Sequence, residues 1–142
     1  MYRNLLVPVD LSDEHSWRKA LPTAIALCQT FQARLHVIAV VPEFGLPLVG
    51  QFFPEGYEAK LRQQAAKQLK DFVLTQVPDA ITSRRIVSEG KIYQEILKAA
   101  AAIQADLIVM GSHRPELSDY LLGPNAAKVV RHAKCSVMVV RE

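Results

Sequence analysis

The chain has 142 residues, of which half are hydrophobic and 22% are charged. This length and balance predict one globular domain, spanning residues 1–142, rather than a disordered or collagen-like chain. Lys and Arg exceed Asp and Glu by 17 to 14 and are scattered, so we expect no nucleic-acid partner. No hydrophobic run approaches the roughly 20 residues needed to cross a bilayer, which excludes a membrane span.

The N-terminus predicts no secretion signal, because only Arg3 and the short run LLVPV precede Asp10. The two cysteines, Cys28 and Cys135, lie in segments that are predicted to be buried. Two cysteines do not make a disulfide framework in a chain of this size. These features favour a soluble protein of the cytoplasm.

The first third of the chain predicts a strand, a helix and a second strand. The run NLLVPVD is a nearly all-apolar strand that ends in Asp10. A helix is then expected from a Ser12 cap to about Phe31, with a bend at Pro22. The run ARLHVIAVV is a second buried strand, which Pro42 ends.

The middle of the chain begins with an unusual loop. The segment PEFGLPLVGQFFPEG is rich in proline and glycine and also in large apolar side chains, so we expect another surface to cover it. A helix follows from about Tyr57 to Val77, where apolar residues recur at helical spacing. The run AITSRRIVSEG alternates apolar and polar residues, which predicts an edge strand ended by Gly90.

The last third predicts two more helices and two more strands. KIYQEILKAAAAIQA is a helix, DLIVMG a central strand, residues 125–132 a short helix and SVMVVR the last strand. Strands that alternate with helices predict an α/β fold, an open doubly wound five-stranded parallel sheet with helices on both faces. Ligands of such sheets bind at the carboxyl ends of neighbouring strands, here the first and fourth, which end at Asp10 and Gly111.

The segment GSHRPELSDYLLGPN has the features of a phosphate-binding turn. Gly111 and Gly123 bracket it, and a helix is expected to begin at its end, where backbone N–H groups and the helix dipole attract anions. Ser112, Ser118 and Asn125 add hydroxyl and amide groups, while His113 and Arg114 could bond phosphate oxygens. On spacing alone, the segment is equally compatible with a simple turn from strand to helix.

Three stretches of the sequence resemble the universal stress protein family: VPVDLS, DLIVMGSH and LLGPNAAKVVRHAKCSVMVV. The resemblance extends over the whole chain and implies the adenine nucleotide alpha hydrolase-like fold. It implies a stress-response protein that binds ATP or a related adenine nucleotide, with or without Mg²⁺, as a regulatory ligand with slow or no turnover. It also implies a homodimer in which the last strands pair. Some similar proteins show weak ATP hydrolysis or self-phosphorylation.

The resemblance assigns roles to individual residues. It implies that Pro8, Val9 and Asp10 face adenosine and that Val40 lines the pocket for the base. By the same resemblance, Met110 and Gly111 flank the ribose and phosphates, and the loop from Ser112 through His113 and Arg114 to Gly123, Pro124 and Asn125 grips the phosphates.

The loop departs from the family's best-known ATP signature at Arg114 and Pro124. Arg114 stands where a glycine is usual, eight rather than nine residues separate it from Gly123, and Pro124 replaces a serine or threonine. An arginine cannot cheaply adopt the backbone angles of glycine, but its guanidinium can bind phosphate directly. Pro124 suits the first turn of a helix and offers neither N–H nor hydroxyl, so a weaker grip on phosphate is expected there.

Other readings of single residues stay open at this point. Asp10 could cap the loop that follows it, and Asp13 and Glu14 fit the first turn of a helix. His36 fits a hydrogen-bonded residue within its strand, and His132 with Cys135 lacks the further ligands that zinc needs. No nucleophile elbow or P-loop is visible, so fast hydrolysis or phosphoryl transfer is not expected. The alternative function is a nucleotide-independent dimeric module whose apolar loop docks a partner protein.

Overall fold

The computed structural model describes residues 1–42, 56–112 and 123–141. Five strands form one sheet: β1 (Asn4–Pro8), β2 (Arg34–Pro42), β3 (Ser83–Gly90), β4 (Leu107–Ser112) and β5 (Ser136–Arg141). All neighbouring strands are parallel, in the order β3-β2-β1-β4-β5. The predicted five-stranded parallel sheet is confirmed, including the first and fourth strands as neighbours and β3 at an edge.

Helices cover both faces of the sheet, as expected. Within the described ranges they are α1 (Ala20–Phe31), α2 (Tyr57–Gln76), α3 (Ile92–Ala102) and α4 (Gly123–His132). Helices α1 and α2 bury one face in a cluster that includes Leu5, Val7, Leu35, Val37 and Val109. Helices α3 and α4 bury the other face against a cluster that includes Leu6, Ile38, Ile108 and Met110. Odd and even strand positions therefore supply two separate cores, because successive side chains of a strand point to opposite faces.

The start of the first helix differs from the prediction. Ser12 does not cap it; the Ser12 hydroxyl donates instead to the Asp10 carboxylate at 2.6 Å. Asp13 caps a short 3-10 turn, Glu14–Ser16, by accepting the N–H of His15, and α1 begins only at Ala20. Pro22 consequently falls in the first turn of α1, where a missing N–H breaks no bond within the helix.

The two cysteine side chains differ in exposure. Cys28 is buried in the core beneath α1, and burial raises the pKa of its thiol to about 11. Cys135, expected to be buried, is half-exposed just before β5. None of the described helices is long and apolar enough to cross a membrane.

Candidate functional site

The centre of the sheet opens at the carboxyl ends of its strands. The pairing of β1 with β2 runs through five residues, from Asn4 to Pro8, but β1 pairs with β4 only at Leu5 and Leu6. The two strands therefore separate above these positions and leave a crevice between the ends of β1 and β4. This is the point where strand order reverses, which is where open parallel sheets bind ligands.

Asp106 joins β1 and β4 at the opposite, amino end of the sheet. One of its carboxylate oxygens accepts the N–H of Arg3 at 2.8 Å, and the other accepts that of Asn4 at 3.2 Å. The N–H of Asp106 donates to the Asn4 carbonyl at 3.0 Å. The pair of strands is thus held together at one end and open at the other.

Asp10 organises the loop at the open end of β1. Its side chain is 8% exposed, and its Oδ1 accepts both the N–H of Ser12, at 3.0 Å, and the Ser12 hydroxyl. The loop-capping interpretation of Asp10 is therefore correct as far as Oδ1 is concerned. Within the described ranges, both hydrogen bonds found to the Asp10 carboxylate are accepted by Oδ1.

Ser16 is a site residue that the sequence interpretation missed. Its hydroxyl accepts the N–H of Asp10 at 2.9 Å and donates to the Asp13 carbonyl at 2.7 Å. Ser16 is buried, and its bonds fold the 3-10 turn back against the end of β1. No local pattern distinguishes this serine, because its role depends on the loop closing over six residues.

A cavity of about 300 Å³ lies between the ends of β1 and β2 and the N-terminal half of α2. We call it the β1–β2–α2 cavity. Three predicted site residues, Val9, Asp10 and Val40, line it. The other lining residues are Leu11, Ser12, Ala39, Val41, Leu61, Gln64, Ala65 and Gln68. Asp10 is the only charged residue among them, so the cavity suits a largely uncharged group.

The predicted residues at the end of β4 are engaged within the protein. Met110 is fully buried in the core beneath α3 and α4. Gly111 lies against the 3-10 turn: a Cβ placed there would meet the Ser16 carbonyl group, with 2.9 Å to its carbon, and would lie 3.1 Å from the His15 carbonyl oxygen. Glycine is therefore required here by close backbone packing. Ser112 is half-buried at the end of the strand.

The start of α4 also carries structural contacts. Pro124 is exposed in the first turn, where its missing N–H breaks no helical bond. Asn125 accepts the N–H of Tyr93, in the first turn of α3, at 3.1 Å through its Oδ1. The N-cap residue of α3, Lys91, makes no side-chain cap bond, so Asn125 supplies a cap from a neighbouring helix. His113, Arg114 and Ser118 lie outside the described residues.

The remaining candidates lie away from the crevice. His36 is buried in β2, with its Nε2 at 3.4 Å from Asn4 Oδ1, and burial together with the charges of Arg84 and Arg34 lowers its pKa. The expectation of a hydrogen-bonded strand residue is confirmed. His132 and Cys135 line a second cavity, of about 260 Å³, near the C-terminal ends of α3 and α4. Among the described residues, no three His, Cys, Asp or Glu side chains are grouped to hold a metal ion.

The parallel sheet, its strand order and the crevice at its centre define an α/β protein of the adenine nucleotide alpha hydrolase-like fold. Residues 1–141 match the Universal stress protein family, and the chain belongs to that family.

Individual relatives match the chain over its whole length. It is 31% identical to Universal stress protein G of Escherichia coli O157:H7, over 99% of this chain and 100% of that protein. Among solved structures, universal stress protein UspA from Lactobacillus plantarum is 30% identical, with a TM-score of 0.72 over 99% of this chain and 98% of that one.

Two more distant solved structures contain adenine nucleotides. One is a universal stress protein in complex with cAMP, with a TM-score of 0.58 and 24% identity over 99% of this chain and 97% of that one. The other is the universal stress protein from Archaeoglobus fulgidus in complex with dAMP, with a TM-score of 0.64 and 14% identity over 97% of both chains. At these identities the likeness is one of fold.

Proposed function

We propose that this protein binds ATP or a related adenine nucleotide as a regulatory ligand in the stress response, with slow or no turnover. The observation that carries the proposal is the β1–β2–α2 cavity, which opens at the carboxyl ends of β1 and β2 and is lined by Val9, Asp10 and Val40. Family membership and the nucleotide complexes of two structural neighbours support it.

The base and ribose fit the β1–β2–α2 cavity better than phosphates do. Its volume lies near the lower end of the roughly 300–1,000 Å³ typical of small-molecule sites, and its walls are mostly apolar. We expect the Asp10 carboxylate, which lines the rim of the cavity, to accept a ribose hydroxyl. Pro8 precedes this rim, buried at the end of β1.

The phosphates would then extend across the crevice toward the end of β4 and the start of α4. In this arrangement the backbone near Met110, Gly111 and Ser112 approaches the phosphates, and His113 and Arg114 are proposed from the sequence to bond them. The first turn of α4, with Gly123, Pro124 and Asn125, adds the positive end of its dipole. The nucleotide binds with or without Mg²⁺.

A direct test is nucleotide binding by the purified protein. Mass spectrometry of released small molecules and thermal shifts with ATP, ADP and AMP should identify an adenine nucleotide, because a ligand that binds only the folded state raises the midpoint. The proposal fails if none co-purifies and none raises the midpoint at millimolar concentration.

A pair of variants on α2 tests the location. Ala65 lines the cavity, whereas its neighbour Ala66 is exposed and does not. We expect Ala65→Trp to fill the cavity and abolish binding, while Ala66→Trp binds ATP as the parent does. Equal binding by both variants would place the nucleotide elsewhere.

We also propose a homodimer that pairs β5 across a two-fold axis, in the cytoplasm. Val137, Met138, Val139 and Val140 are all half-exposed on β5, which pairs with β4 and has no second neighbour among the described strands. An apolar edge of this kind favours pairing with another chain. Light scattering should give a dimer mass, and Val139→Lys should shift it toward the monomer; a monomeric parent would refute this part.

The loop on which the alternative function depends, residues 43–55, lies outside the described residues. No observation on the described part of the chain favours a nucleotide-independent module.

A further inference from the structure

Helix α2 presents a single uncharged face to the β1–β2–α2 cavity. Leu61, Gln64, Ala65 and Gln68 line the cavity, and their spacing of three and four residues places them on one side of the helix. The basic residues nearby, Lys60, Arg62 and Lys67, do not line it. Among the described residues of this wall, the only polar side chains are therefore two carboxamides, one helical turn apart.

Contacts of α2 with the rest of the fold fix the position of the helix, from which the exposed side chains of Gln64 and Gln68 extend. Leu69 is fully buried and Val73 is buried beside it in the α1 core. The ring of Phe72 packs edge-to-face on Trp17, with 4.9 Å between the centroids. On the side facing β3, Arg62 approaches Glu89 at 3.7 Å. These contacts hold the N-terminal half of α2 over the ends of β1 and β2.

The opposite wall contains main-chain groups of β2 that β1 no longer covers. Val9 donates its N–H to the Ile38 carbonyl at 2.8 Å, and no main-chain bond from residues 10–12 to β2 is found in the described part of the chain. Main-chain polar groups of a strand alternate between its two neighbours, so those of Val40 face the same side as those of Ile38. The Val40 carbonyl thus borders the cavity as a fixed acceptor.

We propose that Gln64 and Gln68 are specificity-determining residues, which hydrogen-bond the edge of the nucleotide base and, with the Val40 carbonyl, select adenine over guanine and hypoxanthine. This inference rests on the proposed nucleotide function. A carboxamide offers a donor and an acceptor side by side, which matches the 6-amino group and N7 of adenine, whereas guanine and hypoxanthine present two acceptors, O6 and N7, at this edge. A fixed carbonyl accepts from the 6-amino group but repels the 6-oxo group of the other two purines.

The test compares ATP with ITP, whose base carries an oxo group in place of the 6-amino group and a proton on N1. Dissociation constants would be measured by calorimetry for the parent, for Gln64→Leu and Gln68→Leu singly and together, and for the control Gln63→Leu. Gln63 is exposed on the same turn of α2 and does not line the cavity. Circular dichroism and urea midpoints would verify that each variant is folded.

We expect the parent to prefer ATP over ITP by about tenfold or more, as a well-placed pair of base contacts provides. The double variant should lose a larger part of this preference than either single variant, while the Val40 carbonyl retains the rest, and Gln63→Leu should lose none. Gln64→Glu and Gln68→Glu, which keep the size but remove the amide donor, should weaken ATP binding, because a carboxylate accepts from the 6-amino group but cannot donate to the ring nitrogen.

The outcomes distinguish a failure of this inference from a failure of the proposed nucleotide binding. A parent that binds neither nucleotide overturns both. A parent that binds ATP while Gln64→Leu, Gln68→Leu and the double variant all keep its ATP-to-ITP ratio overturns the role of Gln64 and Gln68 alone, as does an equal loss in Gln63→Leu.

Discussion

The two sides of the candidate site use their residues in different ways. On the side of β1, β2 and α2, Val9, Val40, Gln64 and Gln68 border an open cavity. On the side of β4 and α4, Met110 is buried in the core, Gly111 packs against a backbone carbonyl and Asn125 caps another helix. One side is built around empty space, and the other is built from close internal contacts.

This difference shows that a residue in a binding signature can have a structural reason to be there. Gly111 belongs to the proposed phosphate end, yet the Ser16 carbonyl leaves no room for any side chain at that position. A substitution of Gly111 should therefore lower the free energy of unfolding more than it lowers ligand affinity. Substitutions on the α2 wall should lower ligand affinity with little effect on the free energy of unfolding.

The largest expected effect comes from Gly111→Ala. The new Cβ would meet backbone atoms that cannot rotate away, so β4 or the 3-10 turn must shift, with a cost of about 3 kcal/mol in the free energy of unfolding. Urea denaturation measures it. Gly56→Ala is the control: its φ is +86° but nothing lies within 4 Å, so we expect only about 1 kcal/mol. Equal losses in the two variants would contradict the packing argument.

Ser16→Ala should have the next largest effect. It leaves the buried N–H of Asp10 without its acceptor, which costs about 2 kcal/mol. Because the bond positions the loop at the rim of the cavity, ATP affinity should fall as well. Ser12→Ala removes a hydroxyl that also bonds Asp10, but Ser12 is exposed, so this variant should lose less stability. Urea midpoints and calorimetry compare the two variants, and a Ser16→Ala variant more stable than Ser12→Ala would contradict the loop geometry.

Asn125→Ala should cost about 1 kcal/mol, as the loss of a helix cap does. Hydrogen exchange of the Tyr93 amide should accelerate, because this N–H loses its acceptor. Asn125→Asp retains the oxygen and should restore protection. If the Tyr93 amide exchanges at an unchanged rate in Asn125→Ala, the assignment of Asn125 as the cap of α3 is wrong.

The smallest effect is a pH dependence that originates far from the site. Because burial lowers the pKa of His36 in the folded state, the unfolded chain takes up the proton first as the pH falls. The contribution of His36 to the free energy of unfolding is thus complete above about pH 6.5 and is lost as the pH falls below it. Urea unfolding at pH 7.5 and 5.5 should show a smaller difference in His36→Gln than in the parent; an unchanged difference would exclude His36 as the source.

The sequence predicted the sheet better than the site. Apolar runs such as LLVPV and DLIVMG identify buried strands directly, and their alternation with helices leads to the five-stranded parallel sheet that is observed. The onset of α1 was misplaced because Ser12, Asp13 and Ser16 are all good caps, and only the folded loop decides among them. Gln64 and Gln68 look like ordinary surface residues of α2, since nothing in the sequence tells which turn of the helix lies over the ends of the strands.

The short pairing between β1 and β4 has a mechanical consequence. The sheet consists of two ribbons, β3-β2-β1 and β4-β5. They are joined by two pairs of residues between β1 and β4 and, at the amino end, by the hydrogen bonds of the Asp106 carboxylate. The strand pair with the fewest paired residues thus lies in the middle of the sheet rather than at an edge. A molecule bound across the carboxyl ends of β1 and β4 would contact both ribbons and restrict their motion relative to each other. A partner bound at β5 would therefore be affected by that binding.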